Sequence, residues 1–193
     1  MREIEELSMN AWPSIQNLFI DGWIIRFANG YTKRANSVNP LYYSSKDINI
    51  KINLCEQIFE KKNLKTVFKM TSKAFPINLD NILEDRGYKS IDHTSVQLLN
   101  LSDIDEPEFT KIKVYTQVNE EWLNNYCKLN SVNINDKITL KKILQNINNE
   151  SCFVSLSLSG EIIACGLGVL ENNYIGLFDI VVDKSYRNHG YGE

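Results

Sequence analysis

The chain has 193 residues, 43% hydrophobic and 23% charged, with nine glycines and four prolines; this is the profile of a folded globular protein and excludes disordered, collagenous and membrane-embedded classes. Its 21 basic and 24 acidic side chains leave a net charge of −3, which gives no electrostatic ground for binding a nucleic acid backbone. The opening MREIEELSMN lacks the apolar stretch of a secretory signal and no run approaches a membrane span, so a cytoplasmic protein without membrane or nucleic acid partners is expected.

Strands are predicted for Ile15 to Ile20, Trp23 to Phe27 and about Arg34 to Tyr43, with turn formers at Asp21-Gly22 and Asn29-Gly30, an antiparallel meander. Asp47 is placed to cap a helix whose Ile48, Ile52, Cys55 and Phe59 fall on one stripe and which ends near Asn63. Leu64 to Met70 reads as a short strand. Pro76 opens a second helix through Leu79, Ile82 and Leu83, stopped by Gly87, and Ser95 to Leu101 reads as a closing strand.

Residues 102–110 are acidic, contain Pro107 and read as a linker; the charge balance is +2 over residues 1–100 and −5 over the rest. Beyond it, Val118, Trp122, Tyr126 and Leu129 mark a helix after an Asn119 cap, and Leu140, Ile143, Leu144 and Ile147 mark another after Asp136. Three strands follow, Ser151 to Leu158, Glu161 to Leu170 and Tyr174 to Val182, joined by Ser159-Gly160 and Asn172-Asn173 turns. Helices beside antiparallel meanders make this an α+β chain, divided into domains 1–103 and 104–193.

The stretch with chemical content is the last. A hydrophobic strand ending Ile180-Val181-Val182 runs into Arg187-Asn188-His189-Gly190-Tyr191-Gly192, an Arg-x-x-Gly-x-Gly turn. Glycines let backbone N–H groups approach phosphate oxygens, and Arg187 adds positive charge, so a pyrophosphate fits this cradle. The plain alternative is a glycine-rich surface turn after a core strand.

With two helices and a three-stranded meander ahead of this turn, the sequence resembles the GNAT acyltransferase superfamily. The resemblance covers residues from about 113 to 193 and implies a mixed, mainly antiparallel sheet flanked by helices. It makes Arg187 to Gly192 the phosphate loop for acetyl-CoA, and has Ile180, Val181 and Val182 pair with the pantetheine arm like an added strand. In the family a bulge splays that strand and opens the slot for the thioester. The family continues past this loop with a helix, a strand, a helix often carrying a thiolate-protonating tyrosine, and a hairpin; the second repeat is therefore expected to be truncated after the loop. The first half resembles a degenerate copy, without a glycine around Ser44 to Asp47 and with Leu83 where that tyrosine would fall, as in tandem GNAT enzymes such as mycothiol synthases.

The expected activity is acetyl transfer from acetyl-CoA to an amine of unknown identity. The rival is a non-catalytic acyl-CoA-binding or interaction module. Asp179, an aspartate inside a strand, is the candidate base or amine-binding group, set against a structural role in bulged backbone. His189 reads as loop packing or a phosphate contact. His93 reads as surface structure, and Trp12, Trp23 and Trp122 as core anchors. Tyr31-Thr32-Lys33-Arg34 is either a basic patch offered to the cleft or a solvated turn. Cys55, Cys127, Cys152 and Cys165 show neither disulfide nor metal-ligand spacing, so no metal is expected. The last strand is expected to be an open edge, which implies a homodimer or a docked pseudo-dimer of the two halves.

Overall fold

The computed structural model describes residues 2–102 and 111–192. The expected linker, except Ser102, and the expected 103/104 boundary lie outside the described residues. In chain order the elements are α1 (Arg2–Ala11), β1 (Gln16–Ile20), β2 (Trp23–Phe27), β3 (Val38–Asn39), α2 (Ile48–Lys61) and α3 (Leu79–Asp85), then β4 (Ile112–Tyr115), α4 (Glu120–Leu129), α5 (Ile134–Gln145), β5 (Glu150–Leu158), β6 (Glu161–Glu171) and β7 (Tyr174–Val182). They form an α+β structure with two antiparallel sheets, ordered β1-β2-β3 and β4-β5-β6-β7.

In the second half the turns fix the register. Ser159 and Gly160 have φ of 51° and 88°, and Asn172 and Asn173 have 49° and 64°. Two consecutive left-handed residues make the tight reversal whose twist matches paired strands. Asn119 caps α4 by accepting from the Trp122 N–H at 2.8 Å. The cap of α5 is Asn133, not Asp136: the Asn133 side chain accepts from the Asp136 N–H at 2.9 Å, which moves the helix start three residues forward. Trp122 and Tyr126 stack at 5.1 Å, and Trp122 meets the edge of Phe153 at 5.0 Å, which fixes α4 on the sheet.

The first half is more irregular than its sequence implies. The strand expected from Arg34 to Tyr43 is reduced to Val38–Asn39. Arg34 instead lies in a single 3-10 turn, Lys33–Ala35, because buried Asn36 ties up the loop: its Oδ1 accepts from Ala28 N–H and Gly30 N–H, and its amide donates to the Tyr31 and Thr32 carbonyls. Pro40, with no N–H to donate, then stops the ladder. With so short a neighbour, the strand expected over Leu64 to Met70 is a single parallel bridge, Val38 with Phe68. The strand expected over Ser95 to Leu101 does not form: Val96, Leu98, Leu99 and Leu101 are exposed, and no strand among the described residues supplies a ladder.

Asp47 caps α2, accepting from the Asn49 and Ile50 N–H groups, and Ile52, Cys55 and Phe59 are buried. Helix α3 starts at Leu79, later than Pro76 suggests. It ends with Gly87 at φ 86°, where the Gly87 and Tyr88 N–H groups close on the Glu84 and Leu83 carbonyls.

Trp23, Ile25, Phe27, Ile52, Phe59 and Leu83 make one core within the first half. A second core joins Ala11, Trp12, Ala28 and Ala35 to Trp122, Leu140, Phe153, Leu167 and Val181. The first half therefore reaches the second through the C-terminus of α1 and the β2–β3 loop, and that loop brings Tyr31 and Arg34 to β7.

Candidate active site at the β7 bulge

Strands β6 and β7 pair regularly from Glu171 with Tyr174 to Leu167 with Phe178, then slip, so that Cys165 faces Val181. Asp179 and Ile180 therefore stand against Gly166 alone, a bulge with one extra residue on β7. Asp179 adopts φ 51°, a left-handed conformation that aspartate tolerates better than most side chains. The kink turns its carboxylate inward, and Oδ2 is buried with no hydrogen-bond partner among the described residues.

Two elements bring side chains to bear on this carboxylate. Helix α4 supplies Tyr126, whose hydroxyl accepts from the Asn130 amide at 2.9 Å. The β2–β3 loop supplies Tyr31 and Arg34. Burial pushes the Asp179 carboxyl up to about 6, and the Arg34 charge and the Tyr126 hydroxyl act in the opposite direction. The phenols respond in kind. Burial first, and the Asp179 charge second, raise Tyr31 to about 12 and carry Tyr126 higher still. Both hydroxyls stay protonated at neutral pH and serve as hydrogen-bonding groups, while Asp179 is the titrating one.

Arg34 is held from two sides. Its Cζ lies 5.3 Å from the Trp12 ring centroid and 5.6 Å from that of Phe178, while its carbonyl accepts from buried Arg26 at 3.0 Å. A glycine makes room for this: a Cβ on Gly176 would come within 2.6 Å of the Phe178 ring.

Past β7, Asp183 caps a turn over Lys184–Tyr186 by accepting from the Ser185 N–H. Residues 187–192 follow as an exposed loop. Asn188 and Gly190 have φ of 63° and 81°, Arg187 Nε donates to the Val182 carbonyl at 3.1 Å, and His189 Nδ1 lies 2.7 Å from the Arg187 carbonyl. The Tyr191 ring stands near those of Tyr186 and His189. Among the described residues the backbone N–H groups of Asn188, Gly190 and Gly192 have no acceptor. Of the strand residues ahead of the loop, Val181 is buried in the shared core and Ile180 is exposed.

The loop before α2 has the contrasting arrangement. The Asp21 carboxylate accepts from the Ser45 and Lys46 N–H groups at 3.0 and 2.8 Å and from the Ser44 and Ser45 hydroxyls, with the Lys51 ammonium 3.5 Å away. The Lys46 N–H foremost, helped by the serines and Lys51 against some desolvation, holds Asp21 far below the usual carboxylate range.

The remaining candidates fall to structural roles. His93 lies against Ser90 on the surface, Trp12, Trp23 and Trp122 are buried, and desolvation raises the Cys55, Cys127 and Cys165 thiols, which makes poor nucleophiles of them. A cavity of about 420 Å³ lies between the halves, lined in part by Asn17, Arg26, Asn146 and Asn149. It shares no residue with the Asp179 group, and the Arg26 guanidinium is taken up by the Met9, Trp12 and Arg34 carbonyls. No helix among the described residues is long and apolar enough to cross a membrane.

The family model described as "Probable histone acetyltransferase Rv0428c C-terminal" matches residues 1–192. The chain belongs to that family. Among curated relatives of this Rv0428c C-terminal family member, the "Uncharacterized N-acetyltransferase YobR" of Bacillus subtilis is 26% identical over 200 residues, spanning 100% of this chain and 78% of the relative. The "Probable histone acetyltransferase Rv0428c" of Mycobacterium tuberculosis is 25% identical over 122 residues, 61% of this chain and 39% of the relative. These names mark an acetyltransferase family. The fold also matches a crystal structure of a functionally unknown conserved protein from Staphylococcus epidermidis, with a TM-score of 0.53 at 9% identity, covering 98% of this chain and 80% of that one.

Proposed function

We propose that the protein is an acetyl-CoA-dependent N-acyltransferase of the GNAT type, cytoplasmic, built of two tandem repeats of which the first is degenerate. The observation that carries this reading is the β7 bulge, which sets a carboxylate with one buried oxygen unpartnered among the described residues a few residues ahead of the glycine-containing 187–192 loop. The backbone N–H groups and arginine of residues 187–192 suit a pyrophosphate, and the open edge of β7 suits a pantetheine arm beside Ile180, Val181 and Val182. Acetyl-CoA supplies the activated acyl group. Asp179 orients the amine and takes its proton as the nitrogen attacks the thioester carbonyl carbon. The carbon–sulfur bond breaks, the acetyl group stays on nitrogen, and the departing thiolate takes up a proton from water. Backbone N–H groups near Ile180 and Val181 are suited to polarise the carbonyl. A carboxyl near 6 is ionised at neutral pH yet more basic than an ordinary aspartate, as proton abstraction requires.

Calorimetric titration with acetyl-CoA, beside an Arg187→Ala, Gly190→Asp double variant, tests the reading. Roughly micromolar binding lost in the variant supports it. Equal binding by both proteins removes the loop from the site, and no binding by either overturns the cofactor assignment. Binding without transfer to any amine would favour a non-catalytic acyl-CoA module.

A further inference from the structure

Two opposite charges near the bulge lack the partners that charges in such places normally have. Asp179 Oδ2 is buried without a hydrogen bond. An unmatched buried carboxylate is costly, and a fold keeps one when something else is to meet it. Arg34 is exposed, rests on the Trp12 and Phe178 rings and forms no ion pair or side-chain hydrogen bond among the described residues. Its neighbour Lys33 is spent on Asp92 at the surface. The two charges are close enough for Arg34 to bias the acidity of Asp179, yet they do not close on each other as a salt bridge.

Their supports hold them apart. Asp179 is aimed inward by its left-handed backbone. Arg34 is anchored through its own carbonyl by buried Arg26 and through its guanidinium by the two rings. Ring stacking uses the faces of a guanidinium and leaves its edge, where all five N–H donors lie, free for a planar anion. Tyr31 and Tyr126 both feel the Asp179 charge, and both phenols are neutral at working pH.

A molecule that satisfies both ends has an amine at one end and an anion at the other. We propose that the acceptor is an amine carrying a carboxylate, of the amino acid class, with its amine on Asp179 and its carboxylate on the edge of Arg34. This rests on the acetyl-transfer reading of the same site. It makes Arg34 the residue that selects the acceptor, and it makes the first half of the chain, through the β2–β3 loop, a contributor to substrate choice.

The test supplies acetyl-CoA and a set of α- and β-amino acids, each beside its own carboxamide, to the full protein and to Arg34→Gln, with thiol release and product mass as readouts. Free amino acids are expected to exceed their carboxamides about 10- to 100-fold in kcat/KM. Arg34→Gln is expected to erase that preference by raising KM for the amino acid, while acetyl-CoA affinity stays as it was. Equal use of carboxamides, a preference that survives in Arg34→Gln, or weakened acetyl-CoA binding in that variant overturns the proposal. Acetyl-CoA bound with neither set acetylated overturns it too, and leaves the cofactor site standing. Failure of the unaltered protein to bind acetyl-CoA overturns the acetyl-transfer reading, and the acceptor with it.

Discussion

Asp21 and Asp179 stand one in each half of the chain, at the reversal between β1 and β2 and at the bulge of β7, with φ of 42° and 51°. Their surroundings differ in every other respect. Asp21 collects two backbone N–H groups, two hydroxyls and a lysine, and its carboxylate fills the loop ahead of α2 much as a bound anion would. Asp179 has a buried oxygen with no donor among the described residues, and in the loop that follows it the backbone N–H groups of Asn188, Gly190 and Gly192 have no acceptor among them. In the first half the chain satisfies its own cradle. In the second half, on the proposed reading, carboxylate and cradle are left to a ligand, and the donors around each aspartate, rather than its backbone conformation, set the two apart.

The largest effect that sharpens this contrast is expected from Asp179→Asn, which keeps a side chain suited to left-handed backbone. Its kcat should fall about 10²- to 10⁴-fold with acetyl-CoA affinity unchanged; equal turnover would remove Asp179 from the chemistry. Gly190→Asp places a carboxylate in the open loop, as Asp21 does in the closed one, and demands φ 81° of a non-glycine residue. Acetyl-CoA affinity is expected to drop about 100-fold by calorimetry, and an unaltered affinity would break the comparison.

The third effect concerns pH. The folded-state carboxyl of Asp179 sits at about 6, above the ordinary aspartate value of 3.8, so the folded protein holds the proton more tightly than the unfolded chain. The stabilising effect of this group is complete below about 4 and is lost as pH rises through about 6. Asp179→Asn is therefore expected to be more stable than the parent at pH 7, by about 3 kcal/mol in urea unfolding, and indistinguishable near pH 3.5. The same group predicts an acidic limb near pH 6 in kcat/KM, with Arg34, Tyr31 and Tyr126 as the groups facing it. The smallest functional effect belongs to Asp21→Asn, which is expected to lower the unfolding midpoint and leave turnover and acetyl-CoA affinity alone. A loss of acetyl-CoA binding there would make the first loop a working part of the site.

Legibility in the sequence followed how local each determinant is. Caps at Asp47 and Asn119, the stripe Ile52, Cys55, Phe59 and the paired left-handed turns after β5 and β6 are written in neighbouring residues, and those elements stand where the pattern puts them. The segments 64–70 and 95–101 carry strand-like residues but lack a partner, which no local pattern reports. Helix α1 and strand β4 were not anticipated. Ile4, Leu7 and Ala11 carry a helical period that would have revealed the first, and Ile112 to Tyr115 is too short to stand out. At the site, Asp179 stood out as an aspartate inside a strand, and the 187–192 loop by its glycines. Tyr31 to Arg34 read only as either a basic patch offered to the cleft or a solvated turn, and Tyr126 only as part of a helix stripe, because their approach to Asp179 depends on Asn36 folding the β2–β3 loop and on α4 packing against the sheet.

Among the described residues strand β7 pairs on one side only, with β6, and Ile175, Leu177 and Ile180 stand exposed along it. If a pantetheine arm and a second protein chain both pair with that edge, the two become competitors for one row of backbone groups. Self-association would then act as an inhibitor whose strength rises with protein concentration. The apparent affinity for acetyl-CoA is expected to weaken as the protein is concentrated, and saturating acetyl-CoA is expected to shift the sedimentation profile toward the monomer.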